Sequence, residues 1–370
     1  MTESFRQAML NNLNVQYLRY PEMQQEDVVK FVFQAILGVG HLLSGREHVT
    51  EFIGRETDTL QADPDEPLLE PLSPDWCRLN LRRAMAEHLS PAMIAGLMMT
   101  SDISVSFSRE DVLLFCTELA ESGAVRMTDP EALKTIREGT WLPSHSPLYR
   151  EMYHPAYRVI PADWIPYMNA VCQIADRASG TERLLITIDG PCASGKTTLA
   201  RKLAEVFGAA VVHTDDYVIP HAQKTEERLR IPGGNCDAER LAGEVVIPWK
   251  DRRPVCMRRY DCQTDRLLPE ETLPGSDFLI LEGSYCNLPE IRKEADVRIF
   301  LGISREVQNV RLQQRESPES LKRFYDRWIP LEEAYFAAYG LPDAGCIVIN
   351  GQNVQHDGNG SAGAAIPAEE

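Results

Sequence analysis

An α/β domain built on a parallel sheet, preceded by a mainly α-helical domain, is the fold class the sequence predicts, and three observations predict it. Short apolar runs at 184–188, 209–212, 278–281, 297–301 and 346–349 alternate with amphipathic stretches, the pattern of buried strands covered by helices on both faces. Before residue 175 the apolar residues recur instead at helical spacing, as in Val28, Val29, Phe31, Val32, Ile36 and Leu37, and again at Leu113, Leu114, Leu119, Leu133 and Ile136. The length of 370 residues exceeds what one hydrophobic core commonly holds, so two domains are expected.

The boundary falls in the polar stretch 176–181, giving a mainly helical accessory domain over 1–178 and an α/β domain over 182–350. Proline-rich breaks at 63–67, 71–74 and 143–147 punctuate the first half. The Gly38 to Gly40 step reads as a helix break that permits close packing. The tail 351–370 is rich in Gly, Ala and Asn with few apolar anchors, and mobility is expected there.

Composition narrows the class. With 44% hydrophobic and 25% charged residues the chain resembles an ordinary water-soluble globular protein. A net charge of −17 opposes nucleic-acid binding, which depends on Lys and Arg neutralising phosphates. Nine scattered cysteines include no Cys-x-x-Cys pair, so reduced thiols and a cytoplasmic location are expected. No apolar stretch is long enough to suggest a membrane span. His41, His145 and His154 match no standard metal-ligand spacing and read better as core or capping residues.

The strongest motif follows the first apolar run. Gly190-Pro191-Cys192-Ala193-Ser194-Gly195-Lys196-Thr197 fits G-x-x-x-x-G-K-[ST], and a helix with Leu199, Leu203, Val206 and Phe207 on one face succeeds it. A strand to hold one end and a helix N-terminus to aim free N–H groups make such a loop an anion cradle, so a phosphate loop is expected. Gly190, Ala193, Ser194, Gly195, Lys196, Thr197 and Thr198 are the candidate nucleotide-binding residues. Lys196 would reach the β and γ phosphates of ATP, and Thr197 would ligate Mg2+. Cys192 beside a helix start is a candidate reactive thiol, or simply a small tolerated loop residue.

Asp215 and Asp216 end the second strand, on the edge of an open parallel sheet where ligands bind. A carboxylate there suits orientation of an acceptor hydroxyl, so Asp215 is the candidate base with Asp216 beside it; helix capping or indirect metal support is the alternative. Glu282 ends the third strand and is the second candidate metal residue. Arg311 and Arg315 lie on a helix after the fourth strand, where they would stabilise a transferring phosphoryl group, or else form a solvated face paired with Glu306 and Glu316.

These segments resemble the uridine kinase-like branch of the P-loop kinases, which includes pantothenate kinase, phosphoribulokinase and nicotinamide riboside kinase. The resemblance covers about 184–350. It is carried by the phosphate loop, Asp215-Asp216-Tyr217, Pro232-Gly233-Gly234-Asn235-Cys236-Asp237, Arg259-Tyr260-Asp261-Cys262, Leu279-Ile280-Leu281-Glu282-Gly283 and the arginine helix 305–315. It implies an enzyme using ATP and Mg2+ to phosphorylate a hydroxyl of a small metabolite, with Asp215 matching the family's base and Glu282 its carboxylate near the metal. Asp216, Asp237, Tyr260 and Asp261 become the candidate acceptor contacts, although Tyr260 reads equally as a hairpin residue with a buried ring. Uridine kinases carry a histidine shortly after that tyrosine, and Cys262-Gln263-Thr264-Asp265 supplies none. A nucleoside is the favoured acceptor, with a sugar acid or pantothenate-like alcohol as alternatives and an ATP-dependent switch as the reading from another class. The partners expected are ATP and a small hydroxyl acceptor, with neither nucleic acid nor membrane, in a chain able to form a homo-oligomer. The helical half is expected to sense a ligand or restrict the acceptor site.

Overall fold

The computed structural model describes residues 1–38, 45–100, 107–123, 143–262 and 264–353, and they cluster into two compact units, Met1–Met168 and Asn169–Glu370. The readings placed on Gly40, His41, Leu133, Ile136 and the tail beyond 353 lie outside the described residues. Among the described residues, no helix is long and apolar enough to cross a membrane.

In the first unit, helix Gln25–Leu37 buries Val28, Val29, Phe31, Val32, Phe33, Ala35 and Ile36, which leaves it little solvent face. An apolar surface that wide marks a central helix. It ends at Gly38 with φ 59°, where an added Cβ would collide with the Trp76 ring. Only glycine meets both demands at once.

The helical reading of this half missed a sheet. Strands β1 (Leu69–Pro71), β2 (Trp76–Asn80) and β3 (Tyr157–Pro161) form an antiparallel sheet in the order β1-β2-β3. The first four residues of β2 are all buried, including Arg78. Its guanidinium donates to Gln34 at 3.1 and 2.9 Å and to Gln16 at 3.0 Å, and lies 4.4 Å from the Tyr157 ring centre. A buried arginine thus removes the polar-outward alternation by which a half-exposed strand is read.

His145 is a core residue of the same unit. It lies 2.7 Å from an Asp27 oxygen through Nδ1 and 2.6 Å from the Tyr157 hydroxyl through Nε2, while Asp27 also accepts from the backbone N–H and hydroxyl of Ser146. Burial pushes the His145 pKa down to about 4. Asp27 is also held low, its hydrogen bonds to His145, Gln24 and Ser146 outweighing its desolvation. The unfolded chain binds a proton at His145 from pH about 6.5, whereas the folded chain refuses it until about 4, so stability is present above this window and drains as pH falls through it. The expected loss is on the order of 3 kcal/mol. Calorimetry of the full chain should show a transition that falls steeply on acidification through this window in the native sequence and less steeply in His145→Asn; equal slopes would contradict the assignment.

The second unit contains the predicted parallel sheet. Strands β4 (Leu184–Asp189), β5 (Ala210–His213), a group of two-residue strands β6 to β9 between Cys256 and Thr272, and then β10 (Phe278–Glu282), β11 (Val297–Gly302) and β12 (Cys346–Asn350) follow in chain order. The five long strands form one sheet in the order β12-β11-β4-β10-β5, all neighbours parallel. Every residue of β4 is buried, as the inner strand of a two-faced sheet requires. Register then sets the working edge. Glu282 pairs with Ile188 on one side and His213 on the other, so the carboxyl ends of β4, β10 and β5 finish level.

Helix Lys196–Phe207 leaves that edge and buries Leu199, Ala200, Leu203, Val206 and Phe207. It stops at Gly208, a left-handed cap with φ 65°. The polar stretch expected as a domain boundary is largely helical, since helix Met168–Gly180 runs through it. The tail begins with order: Gly351–Asn353 forms a 3-10 turn, and Gly351 is buried with its carbonyl accepting from Arg311 at 2.8 Å.

Candidate active site

Chain order explains why a site forms where it does. The chain leaves β4, crosses to β5 beyond β10, and later places β11 on the other flank of β4. In open parallel sheets a ligand crevice opens outside the carboxyl end of the strand where direction reverses, which here is β4 and the loop after it.

The loop is shaped by backbone conformations few residues tolerate. Gly190 has φ 141° and an added Cβ would collide with the Leu301 carbonyl; Gly195 has φ 102°, and Ala193 is left-handed at φ 61°. Asp189, fully buried, accepts the Gly190 N–H at 2.8 Å and the Tyr335 hydroxyl at 2.8 Å, fixing the take-off from the strand. Burial raises the Asp189 pKa against those stabilising bonds. Lys196, the first helical residue, donates from Nζ to the carbonyls of Gly190 at 2.8 Å and Pro191 at 3.0 Å. Desolvation works against its charge, but Glu332 and Glu282 outweigh this and the ammonium is held cationic.

Thr197 and Thr198 follow in the first turn, ahead of the first bond from Leu199 N–H to Gly195 O at 3.0 Å. Their amides, with that of Lys196, point out of the helix start as anion donors. The Ser194 hydroxyl oxygen is buried with no hydrogen-bond partner among the described residues.

Thr197 and Glu282 come together. The Thr197 hydroxyl donates to Glu282 Oε1 at 3.0 Å, and His213 Nδ1 approaches the same oxygen at 2.5 Å. Glu282 is buried whereas His213 is exposed. The hydrogen bond to Glu282 raises the His213 pKa. A threonine oxygen and a carboxylate beside a phosphate-type loop form a hard-oxygen set that suits Mg2+. Those paired oxygens, the buried Ser194 hydroxyl and the glycine-lined cradle all fit a metal-bound polyphosphate.

Asp215 and Asp216 lie on the short turn Thr214–Tyr217 directly after β5. The Thr214 hydroxyl pins that turn by donating to the Ser284 carbonyl at 2.8 Å. The Asp215 side chain is open to solvent at the cleft. Surrounding protein still desolvates it and the Glu282 charge repels it, which together hold its pKa above the ordinary carboxylate value. Asp216 is raised mainly by desolvation, with His213 pulling the other way. Strand β7, Tyr260–Asp261, packs against this turn.

Several sequence-based assignments need revision. Asp237 caps helix Ala238–Leu241 by accepting Arg240 N–H at 3.1 Å and pairs with the Arg240 guanidinium at 3.0 Å; both oxygens are engaged in structure instead of facing an acceptor. Tyr260 has a buried ring and donates its hydroxyl to Asp265 at 2.5 Å, while Asp261 accepts from the Thr264 hydroxyl at 2.7 Å. Arg311 is buried, not presented on a lid: it donates to Ala193 O at 3.1 Å, Ser194 O at 3.5 Å and Gly351 O. Arg315 is more open, pairs with Glu316 at 2.7 Å and lies 5.7 Å from the Phe324 ring centre. Cys192 is no activated thiol, because burial and Glu332 push its pKa well up.

Two side chains that touch the loop were missed. Glu332 accepts the Cys192 N–H at 3.0 Å and the Ser284 hydroxyl at 2.5 Å, and Gln308 donates to Cys192 O at 3.0 Å. Both are buried and come from helices that enter the fold 116 and 140 residues after Cys192. The sequence offers no signal that separates Glu332 from its exposed neighbour Glu333.

Residues 185–323 match the phosphoribulokinase/uridine kinase family. No curated protein matches the chain. Among solved structures, one described as a possible uridine kinase from Bacillus stearothermophilus is similar at 22% identity and a TM-score of 0.39, covering 49% of this chain and 96% of its own.

Proposed function

We propose, from the match of residues 185–323 to the phosphoribulokinase/uridine kinase family, that the chain transfers the γ-phosphoryl group of ATP to a hydroxyl of a small metabolite, a nucleoside being the favoured acceptor. The observation that carries the proposal is the level ending of β4, β10 and β5, which puts Lys196, Glu282 and Asp215 along one edge of the sheet. In this reading the amides from Gly195 to Thr198 and the Lys196 ammonium hold the β and γ phosphates. Mg2+, held by Thr197 and Glu282, would supply charge neutralisation as negative charge shifts toward the leaving phosphate.

Asp215 orients the acceptor hydroxyl and takes its proton as the new P–O bond forms and the bond to the leaving ADP breaks. Its raised pKa suits a carboxylate that accepts a proton late. Asp216, on the turn against which β7 packs, flanks the acceptor position. Arg311 keeps the loop in shape through its carbonyl contacts, and Arg315 is the arginine left to approach the transferring group.

A mass-spectrometric screen of hydroxylated metabolites with ATP and Mg2+ tests the proposal. A new product heavier by one phosphoryl group supports it; acceptor-independent hydrolysis alone would contradict it and favour a nucleotide switch.

Glu332 gives a further prediction. Its carboxylate sits on a loop amide, where it repels an incoming triphosphate. Glu332→Gln should tighten ATP binding about 10-fold, the effect of removing one nearby charge at a protein-like dielectric. Equal or weaker affinity by calorimetry would show that the carboxylate does not oppose the nucleotide.

A further inference from the structure

The first unit has a cavity of about 430 Å³, lined in part by Lys30, Arg82, Arg150 and His154. That volume accommodates one small metabolite. Its charge is unusual for a chain of net charge −17. Lys30 reaches it from helix Gln25–Leu37, Arg82 from helix Leu81–Ala86, and Arg150 from helix Pro147–Tyr153. His154 sits at the left-handed cap of the last helix, φ 42°. Three helices therefore bring cations to one hollow.

Among the described residues, no Asp or Glu lies within ion-pairing distance of Lys30, Arg82 or Arg150. Glu56, the acidic residue on the wall, is paired with Arg158. Asp27 is occupied by His145 and Ser146, and His145, also on the wall, is neutral at ordinary pH. Lys30 instead donates to the Pro143 carbonyl at 3.4 Å. Desolvation, with the charges of Arg78 and Arg150, pushes its pKa down to about 8. Asp27 favours the Lys30 charge, but desolvation and the neighbouring arginines outweigh it, and a dianion would relieve the remaining repulsion.

We infer that this cavity is a binding site for a small phosphomonoester, seated by Lys30, Arg82, Arg150 and His154. Arginine forks match phosphate oxygens in pairs, and a dianion matches several converging cations better than a single carboxylate does. The inference does not depend on the kinase reading, since every residue in it belongs to the first unit.

Calorimetric titration of the full chain with glycerol 3-phosphate tests it, with glycerol as the neutral control. Saturable binding of one equivalent is expected, weakened about 10-fold or more in Lys30→Gln and in Arg150→Gln, the cost of losing a charge-assisted hydrogen bond. Arg150 is exposed, so its variant should fold normally. Arg55→Gln, on an open face, and Lys196→Ala, in the phosphate loop, should bind as the native chain does. No saturable heat at millimolar ligand, affinity unchanged in both cavity variants, or loss of binding in Lys196→Ala instead would each overturn the assignment, as would tight binding of citrate with none of glycerol 3-phosphate.

Discussion

Asp215→Asn should lower kcat for phosphoryl transfer by about 10²- to 10⁴-fold, the usual worth of a positioned general base, while leaving ATP affinity nearly unchanged. The amide keeps the shape of the carboxylate and its place on the turn after β5, but it cannot take the acceptor proton. The substitution removes a negative charge near Lys196 and Glu282, so any change in nucleotide binding should be a slight gain. Steady-state kinetics on an acceptor found by the metabolite screen, paired with a calorimetric ATP titration, checks both halves. A variant with native turnover would remove Asp215 from the chemistry. A variant that lost ATP binding as well would recast it as part of the nucleotide or metal site.

Lys196→Ala should act differently, by weakening ATP binding and lowering kcat together, with a combined loss in kcat/KM of about 10³-fold or more. A preorganised donor aimed at developing phosphate charge contributes about 10²- to 10³-fold on its own, and Lys196 also contributes ground-state attraction to the β and γ phosphates. In the structure its ammonium donates to two loop carbonyls, Gly190 and Pro191, so the side chain also ties the loop to the start of the helix. Lys196→Arg serves as the comparison: it keeps the charge but cannot repeat the compact contact with both carbonyls, so only partial rescue is expected. Full activity in Lys196→Ala would be incompatible with a triphosphate seated in this loop.

The contrast between Asp237 and Lys196 shows how far the sequence could be read. The phosphate loop was legible because its chemistry is local: strand, glycines, lysine and helix start lie within one short segment, and backbone angles enforce the spacing. The five long strands were legible for a related reason, since strands of a sheet covered on both faces read as short, nearly continuous apolar runs, as Leu184 to Ile188 shows with Thr187 its one polar residue. Asp237 sits in an equally suggestive segment, yet it caps a helix and pairs with Arg240. A short polar residue before a helix satisfies two descriptions at once, and only its partners distinguish them.

Long-range partners were beyond reach. Nothing near Cys192 in sequence announces that Glu332 and Gln308 close over it. Arg311 looked like a solvent-side or phosphoryl-facing arginine from its helix alone, and became a buried support because Ala193, Ser194 and Gly351 offer it carbonyls. In the first unit, β2 was hidden by Arg78, a charge buried between two glutamines and an aromatic ring. In each case the decisive term is satisfaction of a buried polar group by a residue far along the chain.

In the proposed reading, the turn from β4 into helix Lys196–Phe207 grips the phosphates of a nucleotide. An equilibrium titration of the purified full chain with ATP in the presence of Mg2+ measures this directly. Saturable binding of one equivalent, weakened at least about 10-fold in Lys196→Ala, is the predicted result. A folded native chain that takes up no nucleoside triphosphate with the metal supplied, or binds it equally well without Lys196, would contradict the account.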